Sequence, residues 1–349
     1  MHTRKVQSVG GGTYTVSLPK EWADSQGISA GDIVGLHTHI DGVLAIQPGE
    51  SGTTSPRTVT VDVSGDGSAT IEPTVRAAYA AGTKELYLES GTGFSTAQTR
   101  VLERIARNLP GVSVVEQSES SRRIQMLLDT HEISVRQSVR QLSFVALSMH
   151  RNGTAGLASG EDFQDVPDRH DQASRLFAIV DRAFGRALCR LDEIDALATE
   201  RPELFALWQT ARELERVADE AGAIARARAS EESRPPPPRE IVALASDARA
   251  VVADAVGVVV GDTHGESARE ILRTREDVCR RIETLDDGLT DPGSRSSVRS
   301  VLAGLRRTAD HGGTIAEVGL RMALREGGLS STGDTDGATS RPSQPSTED

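Results

Sequence analysis

Leu214–Ala225, LERVADEAGAIA, and Leu305–Ala316, LRRTADHGGTIA, are one segment written twice. At a shift of 91 positions (305 − 214) they agree at seven of twelve residues. Self-similarity at a fixed period marks a repeated supersecondary unit. Apolar residues around the first copy recur at steps of three and four, the stripe that a helix turns towards a core. One stripe runs Val135, Val139, Leu142, Ala146, Met149, a second runs Leu176, Val180, Ala183, Ala187, Leu191, Ile194, and a third runs Leu204, Leu207, Ala211, Leu214, Ala218, Ala221. The period resumes with Ile241, Ala245, Ala248, Val252, Ala255, Val259, and two further helices are expected over roughly 266–288 and 295–326. This predicts two tandem all-α three-helix bundles, over 129–230 and 239–328. Between them Pro235–Pro238 favour a polyproline spacer, and residues 329–349 are Ser, Thr, Asp, Gly and Pro without periodicity, hence expected to be disordered. Packing accounts for the repeated Leu214 and Leu305, and for Ile224 and Ile315. It does not account for Asp219 and Asp310.

Upstream the period changes from helix to strand. Over 57–128 the order is strand RTVTVDV, helix PTVRAAYAAG, strand KELYLES, helix TAQTRVLERIARNLPG, then strands VSVVEQS and SRRIQMLL. Such βαβαββ alternation predicts an α/β sandwich domain. Gly91-Thr92-Gly93 stands before the second of these helices, where backbone amides can hold an anion; a plain loop is the other reading. Residues 1–50 read as strands about a glycine turn (VQSVGGGTYTVSLP), a helix opened by Pro19 and closed by Gly27, a turn at Ile28–Asp32, and a hairpin turning at Asp41-Gly42. A unit of this size buries little surface alone, so it is expected to pair with a second chain.

The chain of 349 residues carries 51 acids against 39 bases, a net charge of −12, and its lysines are Lys5, Lys20 and Lys84. That skew resembles proteins of a high-salt cytoplasm, where screening shortens charge interactions, so net charge alone excludes neither protein nor nucleic-acid partners. No segment has the apolar length of a signal peptide or a membrane span, which predicts a cytoplasmic protein, peripheral to a membrane at most. Cys189 and Cys279 lie 90 positions apart within helical segments and are expected to be buried thiols.

Two resemblances rest on these residues. A tandem pair of three-helix bundles bearing Leu214-Glu215-Arg216-Val217-Ala218-Asp219 and Leu305-Arg306-Arg307-Thr308-Ala309-Asp310-His311 resembles the PhoU family of phosphate-uptake regulators, over residues 130–328. GGTYTVSLPKEWADSQGISAGDIV is similar to the AbrB-like (SpoVT-AbrB) swapped-hairpin barrels, in which two chains interlace into one DNA-binding dimer. Together they resemble archaeal phosphate-uptake regulators of multidomain α+β fold. The resemblance implies a homodimer that negatively controls phosphate uptake or its genes, with phosphate importer components or a signalling protein as partners, and DNA as a further one. An AbrB-like regulator whose helical bundles serve only for dimerisation and partner binding is the alternative.

For the site residues the resemblance implies a divalent metal (Fe, Zn, Mn or Mg) on Glu215 and Asp219, with Asp168 and Asp171 from the neighbouring helix and Asp310 in the second repeat. Glu215 and Asp219 are four apart and so share a helix face; a solvated face beside Arg212 and Arg216 is the plain reading of the same spacing. Arg306 stands where the motif has Glu, and Gln172 and Ser174 stand where acids are common, which reduces the implied cluster to one site in the first repeat. In the barrel, Arg4, Lys5 and Lys20, doubled by a dimer, are the expected phosphate contacts against Glu21, Asp24, Asp32, Asp41 and Glu50, unless the barrel only dimerises. No nucleophile elbow, HExxH or phosphate loop occurs, so no enzymatic activity is expected, and His37 and His39 are expected to lie exposed on a strand face.

Overall fold

The computed structural model describes residues 3–48, 58–128, 133–159, 166–229, 239–289 and 295–327. The Pro235–Pro238 spacer, the whole 329–349 tail and most of the 48–56 linker lie outside the described residues. The fold is mixed α+β, strands first and helices after, and divides into two compact units, residues 1–153 with 162–222 and residues 154–161 with 223–349. No helix among the described residues is long and apolar enough to cross a membrane.

In the first unit, β1 (Gln7–Val9) and β2 (Thr13–Thr15) form one antiparallel hairpin, and β3 (Val34–Thr38) and β4 (Leu44–Pro48) a second. Between them α1 (Lys20–Ser25) starts after Pro19. The turn after α1 is fixed by Asp32, whose carboxylate accepts the Ser29 amide at 2.7 Å.

The α/β region follows the expected order: β5 (Thr58–Asp62), α2 (Ser68–Ala80), β6 (Glu85–Glu89), α3 (Thr96–Asn108), β7 (Val112–Ser118) and β8 (Ser121–Met126). Its four-stranded sheet runs β5-β6-β8-β7, with β5 and β6 parallel and the other pairs antiparallel. Val63, Ile71, Val75, Tyr79, Leu86 and Leu88 are among the side chains buried between sheet and helices. Each is worth about 1.5–3 kcal/mol relative to exposure if its size is that of Val, Leu or Ile. One expectation is corrected here: α2 does not open at Pro73 but at Ser68, and Pro73 lies within it. Ile71, fully buried, extends the apolar stripe one turn upstream of the proline and outweighs the lost backbone bond.

Helix α5 (Val166–Cys189) and the short α6 (Leu191–Ala196) lie in this unit, as do α4 (Val135–Ser159) up to residue 153 and α7 (Arg201–Ala229) up to residue 222. The stripe from Leu176 to Ile194 is therefore not one helix. Arg190 adopts an extended conformation and separates α5 from α6, and its guanidinium bonds Asp192 in the first turn of α6. Trp208 Nε1 donates to Asp181 at 2.8 Å and Phe184 stacks on Trp208, which joins α5 to α7.

Helix α5 also holds the α/β region. Arg182, almost wholly buried, donates to the carbonyls of Tyr79 (2.6 Å) and Thr83 (3.1 Å) at the end of α2, where a cation suits the negative helix pole. Burial lowers the pKa of its guanidinium to about 10. One turn on, Gly185 lies so close to α2 that a Cβ there would stand 2.2 Å from the Ala80 carbonyl oxygen.

The second unit contains α8 (Arg239–Val259), α9 (Ser267–Gly288) and α10 (Arg295–Arg325), all three in mutual contact. The expected stripe of α8, from Ile241 to Val259, is buried throughout. A Cβ on Gly312 would lie 2.8 Å from Val251 Cγ1, so α10 approaches α8 at a distance that glycine permits. Cys279 is buried here, whereas Cys189, at the last residue of α5, is exposed. The expectation of two buried thiols holds for one only, because Cys189 falls where α5 ends and its stripe is interrupted.

Candidate functional site

Residues 3–48 lack a core of their own. Among the described residues of this segment the only buried one is His39. Tyr14 (77% exposed), Ile33 (71%), Ile40 (64%), Leu36 (62%) and Val6 (61%) all face outwards. Neither hairpin pairs with the other in one chain, so their apolar faces are uncovered. Arg4, Lys5 and Lys20 are exposed on the same segment, Lys20 as the first residue of α1. Arg4 donates to the neighbouring Thr3 carbonyl at 3.1 Å.

The two strand histidines are not exposed. His39 Nδ1 lies 2.5 Å from Asp195 Oδ1, His37 Nδ1 lies 3.9 Å from Asp195 Oδ2, and the two rings are parallel, 6.5 Å apart. Alternation puts residues 37 and 39 on one face of the β3 strand and its extension, and that face meets α6 rather than solvent. Asp41 at the hairpin turn accepts from Arg201 at 2.7 Å. That contact neutralises one of the acids counted against Arg4, Lys5 and Lys20.

The helical motif forms a second group of polar side chains. His170 of α5 bonds Asp219 of α7 at 2.7 Å, and the negative charges of Asp219, Asp171 and Glu215 hold the imidazole pKa above its ordinary value, against the effect of burial. Burial pushes the Glu215 carboxyl up to about 7, with Asp219 adding to it and Arg76, Arg212 and His170 opposing. Of the sequence-predicted ligands, Asp219 therefore contacts His170, and Glu215 and Asp171 act on it through their charge. Asp168 is on α5, but its side chain lies outside the described residues. Asp310 belongs to the second unit, where Arg275 Nε bonds it at 3.0 Å and Cys279 Sγ lies 3.7 Å away. Arg306 is engaged by Glu283 at 2.7 Å. Imidazole and carboxylate donors suit Fe, Zn or Mn better than Mg. Among the described residues, however, no group of three or more His, Cys, Asp or Glu side chains is placed to hold a metal ion.

Sequence reasoning missed His170, because a lone histidine three residues after a proline carries no motif. It missed Asp195 and Arg201 for a related reason: each partner lies more than 150 residues from the hairpin it holds.

Comparison with known proteins bears on the hairpin segment alone. The family model described as "Antidote-toxin recognition MazE, bacterial antitoxin" matches residues 7–54. The N-terminal segment is thus similar to that AbrB-like family, which fits a regulator-type domain. No curated protein and no solved structure matches the chain.

Proposed function

We propose that this chain is a homodimeric, DNA-binding regulator of phosphate homeostasis that negatively controls phosphate uptake or its genes. The observation that carries the reading is the hairpin segment: nine large apolar side chains exposed, no apolar core within one chain, and similarity to a family of AbrB-like antitoxins. A second copy supplies the missing partner surface, and dimerisation doubles Arg4, Lys5 and Lys20 into one basic patch. The phosphate limb is supported by the repeated helical motif at Leu214 and Leu305, whose resemblance is to PhoU. Importer components or a signalling protein are the partners this limb calls for.

A divalent cation at Glu215 and Asp219 enters the reading in one form. It has to displace His170 from Asp219 and a proton from Glu215, so binding of added Mn or Zn strengthens as pH rises past about 7. Equal binding at pH 6 and pH 8 returns these residues to a solvated helix face.

A gel shift against promoters of phosphate-uptake genes, at high salt, tests the DNA limb. Retention that is lost when Arg4, Lys5 and Lys20 become Gln supports it, and absence of retention refutes it. The phosphate limb fails if a deletion strain keeps normal phosphate uptake and transcript levels in both starvation and excess. The description of the matched family names toxin recognition, which favours a second reading in which the hairpins bind a toxin-like protein; rescue of growth from such a protein by co-expression decides it.

A further inference from the structure

The α/β region contains a cavity of about 760 Å³ outside the carboxyl ends of the parallel strands β5 and β6. Ligands of α/β sheets sit in crevices at this edge, and pockets for small molecules are typically about 300–1,000 Å³. The β5–α2 loop, the β6–α3 loop and the turn between β7 and β8 each contribute to the lining. Its shape is fixed by cross-links within the region. The Gly91 amide donates to Ser64 Oγ at 2.7 Å, and Gln98 Nε2 donates to the Asp66 carbonyl at 2.8 Å, so the two loops are tied to each other. Gln98 also closes a capping box with Ser95 at the start of α3.

The lining carries both signs of charge. Arg122 is more than nine-tenths buried; its guanidinium lies over the Phe94 ring at 4.8 Å, and Nη1 donates to the Ser121 carbonyl at 3.1 Å. Helix α2 starts at the cavity without a side-chain cap, unlike α3, and its first-turn amides add partial positive charge. Two acidic residues, Asp66 and the exposed Glu119, also belong to the lining. A polyanion entering the cavity meets both carboxylates, and a bare cation meets a buried guanidinium. A molecule with one carboxylate and one ammonium finds a partner for each.

We infer that the cavity binds a free α-amino acid. Its carboxylate is received by Arg122 and the α2 amides, its ammonium by Asp66 and Glu119, and its side chain lies towards Phe94. This assignment is independent of the DNA-binding reading, and either can fail without the other. It also gives a use to the Gly91-Thr92-Gly93 segment, which lies in the loop that forms one wall.

The test uses the full chain in thermal-shift and calorimetric titrations with each of the twenty amino acids, with inorganic phosphate and magnesium as comparators. At least one amino acid is expected to raise the melting temperature, as a ligand of the folded state must. Its N-acetyl and methyl-ester derivatives are expected not to. Asp66→Asn is expected to weaken binding about tenfold or more with the ligand-free melting temperature unchanged. The inference is overturned if no amino acid binds, if phosphate alone does, or if Asp66→Asn binds as tightly as the native chain.

Discussion

The hairpin segment 3–48 and the α/β region 58–128 are both short runs of strands and helices, and they differ in one respect. The α/β region closes a core of its own, with Leu86, Leu88 and Ile124 fully buried, whereas the hairpins leave Tyr14, Ile33, Leu36 and Ile40 in solvent. The first closes an apolar core on its own chain, and the second does not. Apolar content alone does not separate them. What separates them is whether the sheet has a helix layer to close against: α2 and α3 cover one face of β5-β6-β8-β7, but the six residues of α1 bury none of their own side chains.

Core truncation sharpens this contrast most. Leu86→Ala should cost about 2–5 kcal/mol in urea unfolding, as a buried leucine does. Leu36→Ala should leave the stability of the single chain unchanged and reduce only a concentration-dependent part. Equal losses at the two positions would erase the distinction.

Next is the attachment of the finished region to α5. Arg182→Met strips the Tyr79 and Thr83 carbonyls of their donor while keeping much of the volume, and is expected to destabilise by about 2–4 kcal/mol. Hydrogen exchange should show the loss in β8 and the end of α2; an unchanged unfolding midpoint would mean that α5 packs there without it.

The third prediction concerns pH. With Glu215 at about 7 against an ordinary 4.5, the folded chain keeps a proton that the unfolded chain has released, so this residue's contribution to stability falls as pH rises from about 4.5 to 7. His170, raised by Asp219, acts in the same direction, its contribution being present below about pH 6.5 and lost as pH rises through its folded value. Glu215→Gln should therefore stabilise the chain at pH 8 by about 1–3 kcal/mol and change nothing at pH 4. A melting temperature at pH 8 equal to or below the native value contradicts the assignment. The smallest effect is expected at the hairpin anchor, where Asp195→Asn should cost under about 1 kcal/mol but raise amide exchange across residues 34–48. Unchanged exchange there would show that Arg201 and Asp41 hold the hairpin without His39.

The sequence made the helices legible because their apolar stripes are long and regular. The expected 266–288 and 295–326 correspond to Ser267–Gly288 and Arg295–Arg325. Periodicity is blind to a single extended residue, so the stripe through Leu191 concealed the break at Arg190. The hairpins were legible from turn chemistry at Gly10–Gly12 and Asp41-Gly42, and the βαβαββ order from the switch of period. Of the site residues, Glu215 and Asp219 could be picked out by their repeat and spacing. His170, Arg122 and Asp66 could not, since only the packing of α5 on α7, and of one loop beside another, gives them a neighbour worth naming.

The central claim is that residues 3–48 are one half of a two-chain domain. Sedimentation equilibrium of the full chain, alone and as Leu36→Asp, tests it most directly. The account predicts twice the mass of one chain for the native protein and a single chain for the variant, with its helical content unchanged. A native protein that sediments as a single chain, or a variant that stays dimeric, would contradict it.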